Sequence, residues 1–435
     1  MQQVLIDAAH AADRNLHYTK RPDRAKFNAS TLTQTLVLGW LAHPDASLEQ
    51  PAQSAARLGL DVTAQAIDQR FSVATADLLR EVLAASAKHL IAADPVAIPI
   101  LKRFTGVRIQ DSITIVLPDQ LAHHWAGCGG SSDHNTAAAL TCGVQCDLLT
   151  GALAARDLAD GRASDHRLPL QHAQTPKGSL RLADVGCYDL QVLGALTVNA
   201  VYWLSKIEPN AIISDASRKE QALLEYIKHL GAFQQWQGQV WVGRGQRRAC
   251  RLLVVRAPQE VTDQRRRRIR ATAKQKGVTP SASALAVAEW TILRTNIPEE
   301  LLRVEEALVV AKVRWQIALL FKLWKSHGTV DEWRSQKAER ILCDVDAKLI
   351  AMVIPHWMLV VSCWEYAERS LVKAAQVVRD QAPERANARG QRERLNQVLS
   401  TIQRVLKRCA RMNTRRTQPK TYQLLLALTT EPLQA

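Results

Sequence analysis

No two of the eight cysteines form a CxxC pair; they lie scattered at positions 128, 142, 146, 187, 250, 343, 363 and 409. Cys142 and Cys146 are close, but no second pair completes a zinc set. Reduced, mostly buried thiols of a cytoplasmic protein are expected instead. Long apolar runs are missing too. The longest, Leu349–Trp364, contains Pro355 and His356, is short for a membrane span and reads as a buried helix, so no membrane partner is expected. Met1–His10 lacks the basic stretch and apolar run of a secretory signal. Aromatics make up 5% of the chain, and acids are the scarcer charge, 41 Asp+Glu against 57 Lys+Arg, a net of +16. That excess favours a polyanionic partner, of which nucleic acid is the commonest soluble kind. With 47% hydrophobic and 23% charged residues, 19 Gly and 16 Pro, collagen-like, low-complexity and disordered chains are excluded. A length of 435 residues suggests roughly two to four domains.

The first hundred residues read as helical. Ser47 has the position of an N-cap before a helix over Leu48–Leu58, and Gly59 that of a C-cap. A second helix starts at Thr63, so this pair resembles a helix-turn-helix with Thr63–Arg70 as its DNA-facing part. From Val107 the texture changes. Val107–Ile115 alternates and is β-branched, which predicts a strand. Gly127–Ser132 reads as a loop. Thr136–Leu149 and Ala152–Leu158 flank Thr150-Gly151 as a hairpin. A strand over Ser179–Val185, a helix over Asp189–Leu196 and a strand over Val201–Ile207 complete a mixed α/β core. A β-rich insertion follows, with strands at Val240–Val242, Arg251–Arg256 and Trp290–Thr295. The basic run Gln264–Arg270 lies in it as a loop. Glu299–Lys325 reads as one helix, and the chain stays helical to about residue 410.

Positive charge clusters in two places. Gln246–Lys276 holds eleven Lys/Arg and two acids, and Arg369–Lys420 fourteen and three. Their combined excess is larger than that of the whole chain, so the remainder is slightly acidic. Such clustering suits a surface that tracks phosphates, with Arg265, Arg266, Arg267 and Arg268 at its centre.

Two aspartates stand at predicted strand ends, Asp111 and Asp184. A strand-borne acid is costly to bury unless it is paired or bound to metal. Two such acids on neighbouring strands could hold one or two Mg²⁺ or Mn²⁺ ions, which prefer carboxylate oxygens and can drive phosphodiester chemistry. A turn or cap role for each remains open at this point.

The segment Lys312-Val313-Arg314-Trp315-Gln316-Ile317-Ala318-Leu319-Leu320-Phe321-Lys322-Leu323-Trp324-Lys325 resembles the signature helix of the DDE transposases of the insertion-sequence-four type, Tyr-x2-Arg-x3-Glu-x6-Lys. Arg314 and Lys325 match it. Asp111, in Gln110-Asp111-Ser112, resembles the first acid of that family. Asp184, in Asp184-Val185-Gly186-Cys187-Tyr188, resembles the second. Asp147-Leu148-Leu149-Thr150-Gly151 and Asp160-Gly161-Arg162-Ala163-Ser164-Asp165 also look like family segments. The signature tyrosine falls at Ala311 and the third acid, a glutamate, at Ala318. A methyl group binds no cation. Glu305 and Glu306, expected about three turns upstream on the same helix, lie too far along it to substitute. Two origins fit: a Glu replaced to trap an uncut DNA complex, or natural loss and recruitment to a non-cutting role.

The resemblance implies a ribonuclease H-like α/β core with a β-rich insertion, flanked by helical N- and C-terminal regions. The domains would be a DNA-binding 1–100, a catalytic core 101–330 with its insertion at about 208–298, and a basic helical 331–435. It implies a transposase that binds terminal inverted repeats and target DNA and works as a homodimer in the bacterial cytoplasm, on the nucleoid. Cleavage and strand transfer would depend on Mg²⁺ or Mn²⁺ at Asp111 and Asp184 and be impaired at Ala318. Arg314 and Lys325 would contact phosphates, and Trp290 would stack on a flipped base. Trp315 and Trp324 are expected in the core. The alternative is a catalytically dead, domesticated DNA-binding protein acting as a repressor or architectural factor.

Overall fold

The computed structural model describes residues 2–20, 26–88, 96–127, 137–187, 189–216, 219–245, 247–275, 277–381, 384 and 391–428. Most of the expected Gly127–Ser132 loop, Cys128 and Tyr188 lie outside them.

Alternation in the first strand sets the frame. In β1 (Val107–Leu117), Ile109, Ile113, Ile115 and Leu117 are buried, while Thr114 and Val116 face solvent. β2 (Ala138–Asp147) and β3 (Leu153–Asp160) return as the expected hairpin, antiparallel to β1 and to each other. β4 (Leu180–Ala183) and β5 (Tyr202–Lys206) run parallel to β1. The resulting order β3-β2-β1-β4-β5 is the ribonuclease H-like arrangement. Beyond β5 come β6 (Ile212–Ser214), β7 (Glu220–Ala222), β8 (Gln235–Val242), β9 (Arg248–Arg256) and β10 (Trp290–Thr295). They form no separate sheet. β10 pairs antiparallel with β5, and one ten-stranded sheet continues β10-β9-β8-β6-β7.

Helices cover this sheet. Five precede it: α1 (Gln2–Leu16), α2 (Ala29–Ala42), α3 (Glu49–Arg57), α4 (Ala64–Asp68) and α5 (Val73–Lys88). Thr63 caps α4 by accepting a hydrogen bond from Ala66 N at 3.2 Å, and Gly59 takes the left-handed φ of +81° that ends α3. α4 buries Ile67, and its Asp68 pairs with Arg340 (2.9 Å) and Lys337 (3.3 Å). α6 (Leu190–Val198) connects β4 to β5, capped by Asp189. α7 (Leu223–His229), α8 (Gln259–Gln275) and α9 (Ala282–Val287) interleave with the later strands, so the inserted region carries helices beside its five strands. The basic run is the middle of α8, not a loop. Lys and Arg are good helix formers, and their repulsion is tolerable where the side chains reach water.

After β10 the expected single helix is two, α10 (Val304–Val313) and α11 (Trp315–Gly328), meeting at Arg314. The ladder tightens there, with Ile317 N donating to Arg314 O three residues back at 3.2 Å. α12 (Ala338–Cys363) has the length and hydropathy to cross a bilayer, yet 94% of its apolar window is buried inside the protein. It backs the β2–β3 turn. Trp364 Nε1 donates to Leu148 O at 2.9 Å, and His356 Nε2 lies 2.6 Å from Gly151 O. Gly151 has φ +78°, and a Cβ there would meet Val360 and Trp364 at 2.7–2.8 Å. Asp147 Oδ1 accepts from Leu149 N at 2.9 Å. The segment Asp147–Gly151 is thus a packed turn. Helices Leu371–Asp380, Arg392–Cys409 and Thr421–Ala427 follow. One hydrophobic cluster runs from Leu5 through the β1 side of the sheet to Leu425, and a second lies beneath α6, α7 and β8–β9. Of the described cysteine side chains, five are buried and Cys409 is exposed.

Candidate active site

β1 and β4 run parallel with Gln110 opposite Ala183. One residue further along each chain stand Asp111 and Asp184, side by side at the same end of the sheet. Asp111 lies on the face that α11 covers, where α11 begins at Arg314. The Arg314 guanidinium joins both acids, Nη1 at 2.9 Å from Asp111 Oδ2 and Nη2 at 3.6 Å from Asp184 Oδ2. Each carboxylate also accepts the N–H of the next residue, Ser112 N to Asp111 Oδ1 and Val185 N to Asp184 Oδ1, both at 3.0 Å. The Asp184 side chain is 48% exposed and that of Asp111 23%, so the site opens on the Asp184 side. Burial pushes the Asp111 carboxyl above its usual range, and the charges of Asp184 and Asp165 add to this. The Ser112 N–H and Arg314 oppose it.

Ala318 lies one turn beyond Arg314 and is half-buried. Lys325 sits further along the same helix, its Nζ donating to Thr114 O of β1 at 3.1 Å and pairing with Asp331 at 3.5 Å. Both signature cations therefore point at β1, as their spacing suggests. Trp324 is buried as expected, but Trp315 is 61% exposed. The apolar stripe of α11 is Ile317, Leu320, Phe321 and Trp324, and position 315 falls off it. Glu305 and Glu306 are on a different helix from Ala318. Glu306 is buried in a two-pronged pair with Arg103 (3.0 and 2.9 Å), and Glu305 accepts from Gln235 at 2.8 Å. Neither can serve the acid pair.

Along α8, successive side chains point about 100° apart, so adjacent arginines cannot all face one way. Arg265 turns inward and donates to Trp290 O (2.8 Å), Ala288 O (3.3 Å) and Thr291 Oγ1 (2.9 Å). Arg266 donates to Leu285 O at 3.2 Å and pairs with Glu289. Arg267 and Arg268 are exposed. Trp290 is half-buried, with its ring 5.0 Å from that of Phe233 and the Arg256 guanidinium 5.9 Å from its centre. In the sheet, β10 with Trp290 at its start is separated from β4 by β5 alone.

The donor set at Asp111 and Asp184 is carboxylate oxygen, which suits a hard divalent ion, and a cation already stands between the two as Arg314. Position 318 supplies no ligand. Among the described residues no group of three or more His, Cys, Asp or Glu is arranged to hold a metal. The arrangement fits a cradle of two carboxylates. The sequence reading missed Ser112, Asp165 and Cys187, which surround the pair. Ser112 Oγ donates to Asp165 Oδ1 at 2.6 Å, and Cys187 Sγ lies 3.9 Å from Asp165 Oδ2. The hint was that all three lie in family-like segments, Gln110-Asp111-Ser112, Asp160–Asp165 and Asp184–Tyr188.

Residues 102–354 match the family profile of the transposase DDE domain. The chain is 24% identical to the transposase for insertion sequence element IS231B of Bacillus thuringiensis subsp. berliner over 363 residues. That covers 78% of this chain and 74% of the relative. It is 26% identical, with the same coverage, to the transposase for IS231C. Similarity extends to the transposase for IS1151 of Clostridium perfringens, at 23% identity over 67% of this chain and 65% of that one. With the profile spanning more than half of its length, across both acids, Arg314 and position 318, the chain belongs to the DDE-domain transposases.

Proposed function

We propose that this protein binds the ends of an insertion sequence as double-stranded DNA, and that Asp111 and Asp184 are the metal-holding acids of its cleavage and strand-transfer site. The observation that carries the reading is the convergence of both carboxylates on the Arg314 guanidinium. Mg²⁺ or Mn²⁺, when bound by the two aspartates, would activate the attacking oxygen and stabilise the leaving one. Arg314 then has a second task. Its guanidinium can pair with a backbone phosphate and hold the scissile bond beside the acids. Lys325, directed at the same strand, supports the next phosphate. The exposed Arg267 and Arg268 track the backbone further out, and the half-buried Trp290 indole stacks on an extruded base. By resemblance the working form is a homodimer on paired ends, in the cytoplasm and on the nucleoid.

A specific observation favours a second reading. Ala318 leaves the cradle one protein ligand short, as expected of a non-cutting relative that binds DNA as a repressor or architectural factor. Ala318→Glu separates the two. Mg²⁺-dependent nicking at a defined terminal repeat by the restored protein, absent from the parent, supports the transposase site. Retained end binding without nicking by the restored protein overturns it in favour of the second reading.

A further inference from the structure

Asp165 belongs to no strand and no metal-holding group, yet it touches both segments that carry the acids. Its Oδ1 accepts from Ser112 Oγ at 2.6 Å, and Ser112 is the residue whose backbone N–H binds Asp111. Its Oδ2 lies 3.9 Å from Cys187 Sγ, and Cys187 N donates to Asp184 O at 3.0 Å, closing the turn that begins at the second acid. Asp165 is itself fixed. Its carbonyl accepts from Gln171 Nε2 at 2.8 Å and from Leu168 N at 3.3 Å. β1 and β4 are paired only over Val107–Gln110 and Leu180–Ala183, so the ladder stops just before each acid. Beyond that point backbone hydrogen bonds no longer set the distance between the two chains. Two side chains bridge them there, Arg314 between the acids themselves and Asp165 between their neighbours Ser112 and Cys187.

We infer that Asp165 is a positioning residue that straps the Asp111 segment to the Asp184 turn and so fixes the spacing of the two carboxylates. A ligand role is disfavoured because Asp165 and the two acids form no group of three arranged for a metal. Its charge is nevertheless felt at both ends of the strap. It adds to the burial that raises the Asp111 carboxyl and to that which pushes the Cys187 thiol up to about 12.

This inference rests on the metal-holding reading of the acid pair, so the test has one readout that needs metal and one that does not. The full chain is compared with Asp165→Ala, Asp165→Asn and Ser112→Ala. Amide hydrogen exchange is followed at residues 111–113 and 184–187, and Mn²⁺ binding by electron paramagnetic resonance. Asp165→Ala is expected to speed exchange in both segments together and to weaken Mn²⁺ binding about tenfold, the scale of outer-shell losses. Ser112→Ala should reproduce the Mn²⁺ loss, guarding against a folding defect at 165. Asp165→Asn keeps the acceptor toward Ser112 and offers its Nδ2–H to the Cys187 sulfur in place of the second acceptor, and should stay within about threefold of the parent. Unchanged exchange in Asp165→Ala overturns the strap. An Asn variant as weak as the Ala variant overturns positioning in favour of a charge or ligand role. Absence of Mn²⁺ binding by the parent counts against the metal reading of the acid pair, and the exchange data then decide the strap alone.

Discussion

Two basic helices, α8 and α11, use their cations in opposite ways. On α11, Arg314 and Lys325 are both occupied, the first by two carboxylates and the second by Thr114 O and Asp331. On α8, Arg265 and Arg266 are tied down, while Arg267 and Arg268 project into solvent. The difference is one of fixed partners: Arg314 is 19% and Lys325 41% exposed, yet both are tied to β1 or to nearby acids. A cation against a low-dielectric core is held by fixed partners and acts at one point in space. A solvated cation is mobile and screened by salt, and it contributes to phosphate binding over an area. One helix is built for placement and the other for attraction.

That contrast can be broken from beneath α11. Glu306 is 1% exposed and anchors α10 to Arg103. Burial alone would raise its pKa, but the Arg103 hydrogen bond, the Arg303 N–H and both charges hold it below the usual range. Glu306→Ala leaves the half-buried Arg103 with Leu301 O as its remaining partner and should cost about 1–3 kcal/mol, read by urea denaturation. A loss below about 1 kcal/mol would mean that the pair does not anchor the helix.

Asp344 of α12 provides the opposite titration. Burial pushes it up from 3.8 to about 7, with Lys348 and Arg340 opposing the shift, and its Oδ1 is buried without a hydrogen-bond partner. A raised folded pKa means stability that is present below about 4 and lost as pH rises through about 7. Glu306 contributes stability present above its unfolded pKa and lost as pH falls. Asp344→Asn should therefore stabilise the protein by about 1–3 kcal/mol at pH 8 and flatten the thermal midpoint between about pH 5 and 8. Glu306→Gln should instead remove acid sensitivity below about pH 5. An unchanged pH profile in Asp344→Asn would place the titration elsewhere.

At the acid pair itself, Arg314→Met removes the cation that a divalent ion must displace. Mn²⁺ binding to the DNA-free protein should tighten by about tenfold, a difference of about 1.4 kcal/mol, while affinity for terminal-repeat DNA falls. Weaker Mn²⁺ binding would mean that Arg314 assembles the cradle rather than competing for it.

The smallest effect on stability is expected on α8. Arg267→Ala with Arg268→Ala should move the thermal midpoint little, because exposed substitutions stay within about 0.5 kcal/mol. It should reduce the salt slope of DNA binding by about 2. Arg265→Ala should show the reverse, a lowered midpoint with little change of slope. Equal slopes for the two variants would erase the distinction between the helices.

Much of this was legible before any coordinates. The alternation of Val107–Ile115 gave β1, Thr150-Gly151 gave the hairpin turn, and the spacing of Arg314 and Lys325 put both on the face that meets β1. These are local signals, carried by periods of two and 3.6 residues. The inward turn of Arg265 and the break at Arg314 were not legible, because a run of arginines looks alike whether solvated or pinned. The exposure of Trp315 was legible but misread, since the stripe Ile317–Leu320–Phe321–Trp324 already excludes position 315 from the buried face.

The amino-acid sequence alone determined most elements of the core, the two acids at strand ends and the alanine at position 318, since these follow from residue type and short-range pattern. Tertiary structure decided which groups meet. Ser112 and Asp165 are 53 residues apart, Arg314 and Asp111 203, and β10 closes on β5 across the whole inserted region. Such contacts depend on how buried surfaces and unpaired strand edges are satisfied together, and no window of sequence contains both partners.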